Sequence, residues 1–190
     1  NILENASRSP IRYLSPPGVV REQLFNNNTI INQNEQSLSL RVSGEQGLEI
    51  TDARGVFKNV SVDMRQFKKL KMFLHAEALP SDPSLGLQDN EMIGFIRFGN
   101  DFTENFYEVE IPLKVTAPGA ATAELIWPEE NEIDLPLELL TQLKILSRSV
   151  QLGPNEIFYK NENELDANRP NKLKLGVRGN PNFGLVRNLM

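Results

Sequence analysis

Residues 69–77, KLKMFLHAE, carry an apolar side chain at every second position. Leu70, Met72, Leu74 and Ala76 fall on one side; Lys71, Phe73, His75 and Glu77 fall on the other. A helix repeats its faces every three to four residues, so this spacing demands a strand with one buried and one polar face. The same period returns at 37–42, where Leu38, Leu40 and Val42 align. At 56–62, Val56, Val60 and Val62 oppose Phe57, Asn59 and Ser61, with Lys58 breaking the apolar row. Residues 106–115 set Tyr107, Val109, Ile111, Leu113 and Val115 against a mostly polar face, and Leu173, Leu175 and Val177 alternate with charges near the C-terminus.

Other segments fill in around these. Residues 92–98 are apolar on both faces except for Arg97, which predicts a central strand. Residues 123–127, stopped by Pro128, form a short strand in this reading, with Trp127 anchoring its end. The segment 135–150 is predicted to be a helix, with Leu139, Leu143, Leu146 and Val150 on one stripe, Asp134 as N-cap and Gly153-Pro154 as the stop. After the turn at Asn180-Pro181-Asn182, Phe183, Leu185 and Leu189 begin a last strand. The sum, about eight short strands and a single helix, predicts a mainly β fold. We expect an antiparallel β-sandwich, jelly-roll-like and similar to carbohydrate-binding modules, with one packed helix.

Residues 1–36 contain Ser15-Pro16-Pro17-Gly18 and the amide-rich tract NNNTIINQNEQ, so they are expected to be a polar, extended linker ahead of a sandwich at 37–190. The chain starts at Asn1 and stops inside an extended apolar segment, which suggests a fragment of a much longer protein.

Composition narrows the function classes. A formal net charge of −5 and the lack of a dense basic cluster argue against a nucleic-acid surface. There are no cysteines and a single histidine, His75, which excludes thiol catalysis and Cys-based zinc and leaves little room for a Ser-His-Asp arrangement. Neither a P-loop, nor GxGxxG, nor GxSxG is present.

The densest chemistry lies in FIRFGNDFTENFYEVEIPLKV, where Asp101, Glu104, Glu108 and Glu110 follow Arg97. Clustered carboxylate and amide oxygens suit a hard cation such as calcium, but the DxDxDG spacing is missing and Gly, Asn and Asp are ordinary turn residues. A glycosidase would need two opposed carboxyls across a cleft. The alternation instead predicts a hairpin whose second strand turns Glu108 and Glu110 together to solvent, with Arg97 pairing one of them for about 0.2–1 kcal/mol. We therefore expect no catalytic residue, no cofactor and no metal. Phe57, Phe73 and His75 make the candidate ligand or docking face: single rings on otherwise polar strand faces can stack on sugars or dock another domain.

Three long phrases go further than pattern. GVVREQLFNNNTIINQNEQSLSLRV, VFKNVSVDMRQFKKLKMFLHAEAL and MIGFIRFGNDFTENFYEVEIPLK together resemble the gliding-motility cell-surface protein family of Bacteroidetes, the SprA/Sov-type outer-membrane translocon of the type IX secretion system. The resemblance runs from about Arg12 to the end of the chain. It implies a non-enzymatic module of a protein-export translocon in the cell outer membrane or at the cell surface. The implied partners are other segments of the parent barrel, its accessory subunits and the secreted protein substrates of the whole assembly. A cell-surface, glycan-binding jelly-roll module is the alternative. Barrel strands would be longer, with a lipid-facing apolar band, so the short strands here suit a globular module.

Overall fold

The computed structural model describes residues 2–4, 11–20, 23–26, 29–32, 36–43, 48–49, 52–78 and 86–190. In chain order the strands are β1 (Ile2–Glu4), β2 (Gln23–Asn26), β3 (Thr29–Asn32), β4 (Gln36–Leu38), β5 (Lys58–Val62), β6 (Lys69–Phe73), β7 (Ile93–Gly99), β8 (Phe106–Pro112), β9 (Glu132–Pro136), β10 (Phe158–Asn161), β11 (Lys174–Arg178) and β12 (Val186–Leu189). The helices are α1 (Ala123–Ile126), α2 (Leu137–Ser147) and α3 (Glu162–Leu165).

Six of these strands form one antiparallel sheet in the order β10-β11-β8-β7-β12-β5. A two-stranded antiparallel ribbon, β6 with β9, matches Leu70 to Leu135 and Met72 to Ile133. Alternation sends Ile96, Phe98, Tyr107, Val109, Ile111, Leu175 and Val177 to one face of the large sheet, where they share a core with Ile133 and Leu135 of the ribbon and Leu139, Leu140 and Leu143 of α2. The result is a two-layered, mainly β fold with a packed helix, as the alternation predicts. Each fully buried aliphatic side chain there contributes about 1.5–3 kcal/mol.

The central hairpin follows the pattern closely. β7 lies between β8 and β12, the interior position in the sheet that its apolar run predicts. Leu70, Met72, Leu74 and Ala76 all join the core from β6 and the segment after it.

Elsewhere the structure departs from pattern. Residues 123–126 are helical, not extended: the Thr122 side chain accepts from the Leu125 amide and starts a turn that a four-residue apolar run cannot distinguish from a strand. Asp134 is not an N-cap; it lies inside β9, and α2 begins after Pro136. Of the expected 37–42 strand only Ser37 and Leu38 lie in a strand, β4, which pairs with β1. In the amide-rich tract, β2 and β3 pair as a hairpin, Leu24 opposite Ile31. Between β6 and β7, residues 79–85 lie outside the described residues. The N-terminal segment contributes to packing as well: Ile11, Tyr13 and Leu14 lie against Ile126, Trp127 and Phe73.

Candidate functional site

The face of the sheet opposite the core holds the polar residues of β7, β8, β10 and β11. Strand register puts Arg97, Glu108, Gly176 and Tyr159 in a single row across four strands. Gly176 makes the row possible, because the Tyr159 ring lies only 2.6 Å from where a Cβ would be. Tyr159 therefore reaches over β11 and donates its hydroxyl to Glu108 Oε1 at 2.5 Å. On the other side Arg97 grips Glu108 Oε2 through Nε at 2.8 Å and Nη2 at 2.6 Å, and donates Nη1 to the Phe102 carbonyl at 3.0 Å. The guanidinium also stacks 4.1 Å from the Phe106 ring centre.

Glu108 is thus only 5% exposed, which corrects the expectation of a solvated carboxylate pair. Alternation names the face a side chain occupies; it does not say what neighbouring strands lay over that face. Arg97 does pair with Glu108, as one of the two expected options. Glu110 pairs instead with Lys174 at 2.9 Å, and the same ammonium sits 4.0 Å over the Tyr159 ring. Burial first, and then its bond to Glu108, push the Tyr159 hydroxyl far above the ordinary phenol range, so it stays a donor. Both Glu108 oxygens are occupied, and the row acts as a staple across four strands.

Asp101 is equally committed. Its Oδ1 accepts the backbone N–H groups of Thr103, Glu104 and Asn105 at 3.0, 2.5 and 3.0 Å, while Oδ2 accepts the Asn105 amide at 2.9 Å. Burial opposes its charge, but these donors outweigh burial and hold its pKa at about 2 against an ordinary 3.8. A carboxylate depressed on folding stabilises the fold above its unfolded pKa and loses that contribution as pH falls through the folded one. Folding stability should therefore drop between about pH 4 and pH 2, and Asp101→Asn should flatten that acid limb. Urea unfolding across this range checks it; an unchanged limb in the variant removes Asp101 as its source.

The three residues expected to form a ligand face are not brought together. Phe73 and His75 lie beside Trp127, with ring centres 6.4 and 5.8 Å away. The His75 side chain is 5% exposed, its Nδ1 near the Ile126 carbonyl and Thr116 hydroxyl and its Nε2 beside Glu77. Trp127 caps the end of α1 and donates its indole N–H to the Leu14 carbonyl at 2.7 Å. Phe57 lies elsewhere, just before β5 at the edge of the large sheet, 67% exposed and edge-on to Phe102 at 5.4 Å. Beside β5 is an open depression of about 490 Å³, lined by Asn59, Val60, Ser61, Asn100, Arg187 and Asn188. The alternation at 56–62 already set Phe57, Asn59 and Ser61 on one face. Nothing local announced Asn100, Arg187 or Asn188, which arrive because β12 inserts between β7 and β5. Among the described residues, no group of three or more His, Asp or Glu side chains is placed to hold a metal ion.

A protein family described as motility related/secretion protein, SprA_N, matches residues 1–190. The chain belongs to this family. Membership carries a role in motility or secretion, in agreement with the resemblance drawn from the sequence. No curated protein matches the chain. Among the described residues of this family member, no helix is long and apolar enough to cross a membrane.

Proposed function

We propose that this SprA_N family member is a non-enzymatic structural and docking module of an outer-membrane protein-export translocon that serves type IX secretion and gliding motility. The observation that carries the reading is the family match over residues 1–190. The geometry supports its non-enzymatic part. The carboxylates dense enough to suggest acid–base chemistry are engaged: Asp101 by its own turn, Glu108 by Arg97 and Tyr159, Glu110 by Lys174. Turn and strand partners thus account for these carboxylates, which is in keeping with a structural role for them. On this reading the module sits in the cell envelope. It contacts other segments of the parent barrel and its accessory subunits, and the whole assembly passes secreted proteins.

Deleting residues 37–190 from the full-length parent in its own cells tests the proposal. Export of surface adhesins and spreading of gliding colonies are expected to be lost. Normal export together with normal gliding overturns it.

A further inference from the structure

We infer that the depression beside β5, with the adjacent Phe57 ring, is a binding site for an acidic oligosaccharide. Three observations meet there. First, Asn59, Ser61 and Arg187 line the depression and make no side-chain hydrogen bond or ion pair among the described residues. Arg97, Lys114, Lys160, Arg169 and Lys174 of the same sandwich are ion-paired, whereas among the described residues Arg187, like Lys58 on the adjoining strand, leaves its charge unmatched at this depression in a chain with an excess of acids. Second, the depression is built. β12 is irregular between Val186 and Asn188, which sets Arg187 out of the regular ladder, and Asn188 is held by donating Nδ2 to the Asn100 carbonyl at 2.8 Å. The Asn100 Oδ1 in turn accepts the Asn182 amide at 2.8 Å. Third, Phe57 stands on the same strand side as Asn59 and Ser61, and Phe102 backs its ring edge-on.

The chemistry of this set fits a sugar better than a flat apolar partner. The electron-rich face of Phe57 attracts the slightly positive C–H groups of a pyranose ring. Asn59 and Ser61 offer alternating donors and acceptors to hydroxyls, and the Arg187 fork takes a carboxylate through two parallel bonds. The open edge of β5 could also accept an extended peptide as an added strand, but that mode draws on backbone groups and leaves the unpartnered side chains unexplained.

Titrating the ¹⁵N-labelled 190-residue chain with tetragalacturonate, and separately with neutral cellotetraose, tests the inference. Tetragalacturonate should saturably shift the amide signals of Asn59, Ser61 and Asn188. Phe57→Ala should weaken its binding by about tenfold. Arg187→Gln should erase the preference for the acidic sugar. Both positions are exposed, and an unchanged thermal midpoint verifies that the variants fold. The inference fails if neither sugar gives saturable shifts at millimolar concentration, if the two sugars bind equally to the parent chain, or if binding survives both substitutions. It also fails if only an extended acidic peptide shifts β5.

Discussion

Glu162→Ala is expected to lower folding stability by about 3–5 kcal/mol. Glu162 is the first residue of α3 and is 0% exposed, yet it carries a carboxylate. One oxygen accepts the backbone N–H groups of Leu173 and Lys172 at 3.0 and 3.3 Å. The other takes the Arg169 guanidinium through Nε at 3.0 Å and Nη2 at 2.9 Å, and Arg169 continues to the Asp134 carbonyl in β9. Its own backbone N–H donates to the Leu173 carbonyl at 2.9 Å. A single side chain thus joins α3, the entry to β11 and, through Arg169, the ribbon layer. Removing it leaves a partly buried cation without its partner and two backbone donors without acceptors, and each such donor costs about 1–3 kcal/mol. Glu162→Gln keeps an acceptor for the backbone and should fall well short of the alanine loss. Equilibrium urea unfolding decides: an alanine variant as stable as the parent would show that this junction is not what ties the layers.

Leu143→Ala is expected to cost about 3–5 kcal/mol, the range for emptying a fully buried leucine site. Leu146→Ala should cost less than about 1 kcal/mol. A uniform apolar stripe makes the two equivalent, since both fall at helical spacing. The structure separates them: Leu143 is 0% exposed and Leu146 is 43% exposed. Leu139, Leu140, Leu143 and Ser147 define the buried arc of α2, which leaves Leu146 on its margin and Val150 past the end of the helix. Paired thermal and urea melts of the two variants check this. Equal losses would mean that the helix packs through the whole stripe.

How much of this was legible can be followed residue by residue. The pairing of β7 with β8 was legible, because strict alternation, a Gly-Asn-Asp link and a largely apolar partner strand all agree, while the end of β8 at Pro112 and the burial of Glu108 were not. The inward set of β6 was legible for the same reason. β9 and β10 were not. The helix expected from Leu135, with Asp134 as its cap, hides the second half of Glu132–Pro136, and Phe158–Asn161 has no alternation of its own and owes its place to pairing with β11. The short helix at 123–126 depends on one Thr122 hydroxyl capping bond, below what a short apolar run can express.

The candidate site divides along the same line. Sequence by itself determined the β class, the family, the core-facing set and the companionship of Phe57 with Asn59 and Ser61. It also limited Arg97 to two partners. Only the tertiary structure chose Glu108, buried it beneath Tyr159, sent Phe73 and His75 to Trp127, and carried Arg187 to β5. A period of two tells each side chain which way to face. What meets it there is decided by sheet order, and strands such as β5 and β12 become neighbours through pairing over distances that no local pattern encodes.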